Sequence, residues 1–143
     1  MLVNFIEDQD VMSSKLSRIC LDLGWRCTEL KIEVVDQTEL ARILDKIKAP
    51  LRNHAVPKIV LCGRYLEEQI SALALFLLVQ GFDTFLLRDL VEARQQKFSR
   101  IADHRLMQAG VVYTTVRQLF AEQLATIVED QHRTQIMNFL KEV

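Results

Sequence analysis

Read only as apolar and polar positions, the chain alternates between two rhythms. Short apolar runs, LVNFIE (2–7), CTELKIEVV (27–35), KIVLC (58–62), DTFLLR (83–88) and VVYT (111–114), have the length and the branched or aromatic content of strands. Between them apolar residues recur every three or four positions, which predicts helices over 11–23, 38–49, 67–80 and 99–109. A further helical stretch begins at 116 and breaks in two before the C-terminus.

Strand alternating with helix implies right-handed βαβ crossovers and therefore a mostly parallel sheet. The expected fold class is α/β, a three-layer α/β/α arrangement around a Rossmann-like sheet. The runs IVL, FLL and VV are apolar on both faces, as a sheet covered by helices on each side requires. Gly24, Gly81 and Gly110 each close a helical pattern and open a strand, which predicts left-handed residues just past helix ends. Pro50 stops the second helix after KIKA, and Thr115 with Gln118 predicts a capping box before LFAEQL. With no flexible linker, repeat or low-complexity tract, residues 1–143 read as one domain.

The pattern is least ordinary in ISALALFLLVQ (70–80), which carries no charge and only Ser71 and Gln80 as polar residues. A helix without a polar stripe is expected to be buried all round. Two covers suit it: a second subunit, with the helix from Ile70 through Val79 and the C-terminal segment (126–143) as interface elements, or that same C-terminal segment folding back over it. The two can coexist.

Composition narrows the partners. Half of the 143 residues are hydrophobic, enough for one core that buries about two-thirds of the unfolded chain's surface. Eighteen basic residues stand singly among nineteen acidic ones, so neither nucleic acid nor an anionic membrane finds a basic patch. The apolar runs are too short to span a bilayer, and MLVNFIEDQD lacks the basic start of a signal peptide. Cys20, Cys27 and Cys62 are odd in number and show no CxxC or His-rich spacing. The expectation is a reducing, cytoplasmic setting with no disulfide framework, no metal and no cofactor.

In open parallel sheets ligands bind beyond the carboxyl ends of the strands, which directs attention to the turn after KIVLC. That turn offers Arg64, Tyr65, Glu67, Glu68 and Gln69 as candidate ligand-binding residues for a small molecule, although acidic residues at a helix start need no ligand to explain them. The absence of a Gly-rich phosphate loop weakens a nucleotide-binding reading.

Here the residues resemble a family. PKIVLCGRYLEEQISALALFLLVQGFDTFLLRDL is similar to the part of isochorismatase-like cysteine hydrolases that runs as strand, Cys-Gly, short turn, catalytic helix, Gly-aromatic turn and a strand ending in Asp. HRLMQAGVVYTTVRQLF resembles the family's closing stretch, and DQTELARILDKIKAPLRNHAVPKIVLCG its Thr-x-Leu helix and approach to the central strand. The resemblance covers roughly residues 36–125 and implies an isochorismatase-like fold with a Cys, Asp and Lys triad that attacks amides. It implies a structural role for Cys62 and places the nucleophile seven residues later, at Gln69, whose amide is no nucleophile. Leu66 stands where the family's turn carries threonine. FIEDQD puts Glu7 at the Asp position and Gln9 at a family Gln, while Lys31 is the nearest candidate for the lysine, beside the plainer reading of a solvent-facing strand residue. The segment before Asp36 is contracted relative to the family. Asp89 matches an Asp that braces neighbouring turns and is kept in the candidate ligand-binding set; His104 matches a His that opens the penultimate helix, as a capping or packing residue. His54 and His132 have no partner by spacing.

The expected function is that of a non-catalytic isochorismatase-like protein, a homo-oligomeric or ligand- and partner-binding module. The alternative keeps a hydrolase of small amides or esters, using water activated by Glu7 or Glu68, or a relocated thiol at Cys62.

Overall fold

The structure, a computed structural model, describes residues 2–5, 11–29, 36–48 and 58–142. In chain order these form β1 (Leu2–Phe5), α1 (Val11–Asp22), β2 (Cys27–Glu29), α2 (Gln37–Lys48), β3 (Lys58–Gly63), a π-helical turn (Leu66–Ile70) that runs into α3 (Ser71–Val79), β4 (Asp83–Val91), α4 (Gln96–Ala109), β5 (Val112–Thr114), α5 (Val116–Leu124) and α6 (Asp130–Glu142). The strands lie in the order β2-β1-β3-β4-β5, and every pairing is parallel. This is the α/β architecture expected from the alternation of strand and helix.

The chain runs from β1 to β2 in one direction and from β3 to β5 in the other, so the crossover helices divide between the faces. On one face Ile43 and Ile47 of α2, Leu73 and Leu77 of α3 and Leu106 of α4 pack with Ile59, Leu61 and Leu86. On the other, Leu16 and Ile19 of α1, Phe120 of α5 and Ile136 and Phe139 of α6 pack with Val60, Cys62 and Leu87. Successive residues of β3 thus feed opposite cores, which is why the whole run is apolar. Phe120 anchors the second core, stacked on Trp25 at 6.0 Å and meeting Phe139 edge-on at 5.1 Å.

Gly24, Gly81 and Gly110 take φ values of 73°, 85° and 105° at the helix ends, as predicted. Thr115 Oγ1 accepts the Gln118 N–H at 3.1 Å, but the Gln118 side chain donates forward to Glu122 at 3.2 Å, so only half of the predicted capping box forms. The break after α5 is real, and Arg133 ties it by donating to the carbonyls of Leu124 and Ile127 at 3.1 and 3.2 Å.

Several expectations are corrected. β4 runs three residues past its predicted end, because an irregularity between Leu61 and Gly63 lets Gly63 pair with Val91. α4 starts at Gln96 instead of 99, which leaves His104 exposed in mid-helix, where it neither opens the helix nor packs. α3 is not buried all round: Leu73, Ala74 and Leu77 face the core, Leu75, Phe76 and Leu78 are half-buried, and Val79 is 82% exposed. The C-terminal segment does not fold over α3, since α6 packs with α1 and α5 on the opposite face of the sheet. Pro50 and the ends of the first two predicted strands lie outside the described residues. No described helix is long and apolar enough to cross a membrane.

Candidate functional site

β3 ends in Cys62 and Gly63, and the backbone beyond it stays paired. The Leu66 N–H donates to the Glu92 carbonyl at 2.9 Å, and the Glu92 N–H donates to the Gly63 carbonyl at 3.1 Å. The turn after β3 is therefore zipped to the segment after β4. Between these bonds Tyr65 sits at φ 64° and ψ 63°, a left-handed conformation that costs a non-glycine residue about 1–3 kcal/mol and persists only where the surroundings hold it. The Arg94 guanidinium lies 4.3 Å from its ring centre.

From Tyr65 the chain enters a wide π-helical turn, with the Ile70 N–H reaching the Tyr65 carbonyl at 3.4 Å. Fully buried Leu66 and Ile70 pin it, and the Ser71 hydroxyl donates to the Leu66 carbonyl. Such turns are frequent at functional sites because they displace a side chain from its ordinary helical position. Gln69 lies in this turn, and its amide oxygen is buried without a hydrogen-bond partner among the described residues.

The charged residues of the turn are engaged with the segment after β4. Glu67 accepts the backbone N–H groups of Arg94 at 3.1 Å and Gln95 at 2.6 Å, and so prepares the start of α4, whose own N-cap side chain makes no capping bond. Glu68 lies 3.5 Å from Arg94 Nη1, and Arg64 Nε lies 3.2 Å from Glu92. Of the six sequence-predicted ligand-binding residues, Arg64, Tyr65, Glu67 and Glu68 thus converge on residues 92–95. Gln69 stands beside them. Asp89 does not join: both of its carboxylate oxygens accept the Val116 N–H, at 3.2 and 3.0 Å, bracing the start of α5 on the other face. That bracing is the structural role its resemblance implied.

Cys62 is fully buried, and its thiol is pushed up to about 12, first by burial, then by the neighbouring Cys27 thiol and the Asp89 carboxylate. It stays protonated at neutral pH, when the nucleophilic form of cysteine is the thiolate. Cys20 is shifted in the same direction, again mainly by burial. Glu7, Gln9, Lys31 and His54 lie outside the described residues. His132 does have a partner, with Nδ1 2.9 Å from Glu129, which corrects the reading of a lone histidine. Among the described residues no group of three His, Cys, Asp or Glu is arranged to hold a metal.

Sequence reasoning missed Glu92 and Arg94, the residues that complete the latch. Their signal was charge complementarity: VEAR after β4 carries the opposite signs to Arg64 and Glu68. It also missed the Arg88–Asp103 pair, at 3.1 and 3.3 Å, which ties β4 to α4 while Arg88 donates to the Val91 carbonyl at 2.9 Å.

No family model and no curated protein matches the sequence. Solved structures match it by shape. The MAR1 ribonuclease of Caenorhabditis elegans aligns with a TM-score of 0.69 at 14% identity, covering 96% of this chain and 87% of that one. The Escherichia coli YcaC gene product, an octameric hydrolase of unknown specificity, aligns at 0.58 and 13% identity over 99% and 94%. The pyrazinamidase of Pyrococcus horikoshii is 22% identical over 64% of this chain at a TM-score of 0.46, and this chain spans 51% of that enzyme. At such identities the likeness is one of fold, and the fold is that of the isochorismatase-like hydrolases.

Proposed function

We propose that this chain is a non-catalytic isochorismatase-like protein that works as a cytoplasmic homo-oligomeric module, with the turn after β3 turned from a site into a latch. The reading is supported by the latched turn, in which Glu67, Glu68 and Arg64 are committed to residues 92–95, and by Gln69 standing where the resemblance puts the family's nucleophile. A glutamine amide cannot form the acyl-enzyme on which the family's hydrolysis depends. The burial of Cys62 argues against a relocated thiol, and the pairing of Glu68 with Arg94 argues against its use as a base.

The oligomeric half of the reading rests on α3. Its outer side presents Leu75, Phe76, Leu78 and Val79 with no charge, an apolar surface of the kind that marks association sites. The octameric state of the YcaC neighbour supports the same direction. Three free cysteines suit a reducing compartment.

Two measurements test the proposal. Purified protein incubated with a panel of small amides and isochorismate is expected to show no steady turnover; hydrolysis that disappears in a Gln69→Ala variant would overturn the non-catalytic reading. Light scattering on a sizing column is expected to give one discrete oligomer that becomes smaller in a Phe76→Glu variant. A monomeric wild type would remove the oligomer.

A further inference from the structure

Exposed apolar side chains collect on α4. Of the eight large ones among the described residues it carries three, Phe98 at 43% exposure, Ile101 at 66% and Met107 at 51%. Phe98, Ile101 and Arg105 are spaced i, i+3, i+7 and therefore share one stripe of the helix. Asp103 marks the opposite flank, where it pairs with Arg88 of β4 and stands beside Tyr113 of β5. Since α3 crosses from β3 to β4 and α4 from β4 to β5, the flank away from Asp103 is the one that meets α3. The stripe thus adjoins the outer side of α3, where Leu75 and Leu78 are half-buried. The two helices run in the same direction over a parallel sheet and present one apolar band, roughly 20 Å long at about 1.5 Å per residue of α4. Single exposed apolar residues need no explanation, but a contiguous band does.

The charges around the band are of one sign. α4 holds Lys97, Arg100 and Arg105 against a single acid, Asp103, which is taken inward by Arg88, and α3 holds no charge. Lys97 leans on its neighbour, with Nζ 4.7 Å from the Phe98 ring centre. Arg100 and Arg105 are exposed and make no ion pair or side-chain hydrogen bond with any described residue. In a chain of net charge -1 this is a local excess. Its sign decides what kind of surface can cover the band. A second copy docked through α4 about a two-fold axis would bring these cations against their own counterparts, which opposes association. Carboxylates flanking an apolar strip would complement both features at once.

We propose that the stripe along α4, with the bordering side of α3, is a docking surface for an acidic amphipathic helix of a partner protein. The partner's apolar side covers Phe98 and Ile101, and its carboxylates face Lys97, Arg100 and Arg105. An elongated band between two side-by-side helices suits a helix laid lengthwise, with anchors at the same i, i+3, i+4, i+7 spacing. The proposal does not depend on the oligomer proposed above, and the test separates the two.

The probe is a fluorescein-labelled synthetic peptide of about 18 residues, with leucines at that spacing and glutamates between them. Added to the full chain, it is expected to show a saturable rise in anisotropy that weakens with added salt, and to bind about ten-fold tighter than the same pattern written with lysine. Ile101→Asp and Arg105→Glu are each expected to weaken binding about ten-fold, whereas Arg18→Glu, on α1 across the sheet, is expected to leave it unchanged. All three positions are exposed, so the core is kept, and circular dichroism of each variant confirms that it folds. Ile101→Asp is also expected to elute at the wild-type size by light scattering. Absence of saturable binding, equal binding of the lysine peptide, or equal losses in the Arg18 and Arg105 variants would overturn the proposal. So would a changed oligomer size in Ile101→Asp, which would assign the band to self-association. Binding of phosphatidylserine vesicles that is lost in Arg105→Glu would overturn it too, in favour of a membrane surface.

Discussion

The turn at 63–70 and the helix at 71–79 are consecutive in the chain and opposite in how they meet their surroundings. The turn is rich in charge and carries a strained tyrosine, yet its charged groups are taken up by residues 92–95. The helix is free of charge and fully buries only Leu73, Ala74 and Leu77, leaving Phe76 half-buried and Val79 open. Polar residues at a strand end thus look like a site and act as a latch, whereas the uniform apolar run looks like core and presents a surface. The difference teaches that neither polarity nor its absence identifies function until partners are counted.

The sharpest way to break this comparison is within α3 itself. Leu77, fully buried in the first core, is expected to cost about 2–5 kcal/mol on truncation to alanine, while Val79→Ala should leave the stability of a dissociated chain within about 0.5 kcal/mol. Urea unfolding of both variants decides it; similar losses would mean that the two sides of the helix are not distinct. A smaller effect separates the latch from ordinary surface charge. Glu67→Ala removes the acceptor of two backbone N–H groups and is expected to cost about 1–2 kcal/mol. Arg64→Ala removes a partly exposed ion pair with Glu92 and is expected to cost less than Glu67→Ala. If Arg64 proved as costly as Glu67, the latch would be a diffuse charge network instead of a backbone clamp.

The pH dependence extends the same contrast to the strand beneath. The Cys62 thiol is raised from 9.0 to about 12, so the folded state binds its proton more tightly than the unfolded chain. Below pH 9 both forms are protonated and the group adds no slope. Between pH 9 and about 12 the unfolded chain ionises first, and stability falls as pH rises. Cys62→Ala is expected to remove part of that alkaline slope, compared by thermal melts at pH 8 and pH 10.

Much of the fold was legible because strands and helices differ in period and because three glycines punctuate their boundaries. Parallel pairing and layering followed from the alternation, whereas the strand order β2-β1-β3-β4-β5 did not. What could not be read depended on residues meeting from afar. The start of α4 was placed late because RQQKF offers no side-chain cap of its own; Glu67, 28 residues earlier than Gln95, supplies the acceptor. The extension of β4 comes from a pairing irregularity at Leu61 and Gly63, a tertiary event that no local pattern records. Of the two covers offered for α3, the C-terminal segment packs elsewhere, because an apolar run gives the length of a surface but not its neighbours. In the site itself, the burial of Cys62 was readable from its apolar context, whereas Arg94 and Glu92 became visible only when β4 was laid beside β3.

On the reading proposed here, the end of β3 is structural and carries no reactive group. Alkylation of the native protein with a small thiol reagent across a pH series, followed by mass spectrometry, tests it most directly. Cys62 is expected to stay unlabelled at and below neutral pH and to react only once the protein is unfolded. Rapid labelling of Cys62 below neutral pH in folded protein would contradict it, since only a depressed thiol pKa and an open path to solvent could produce that result.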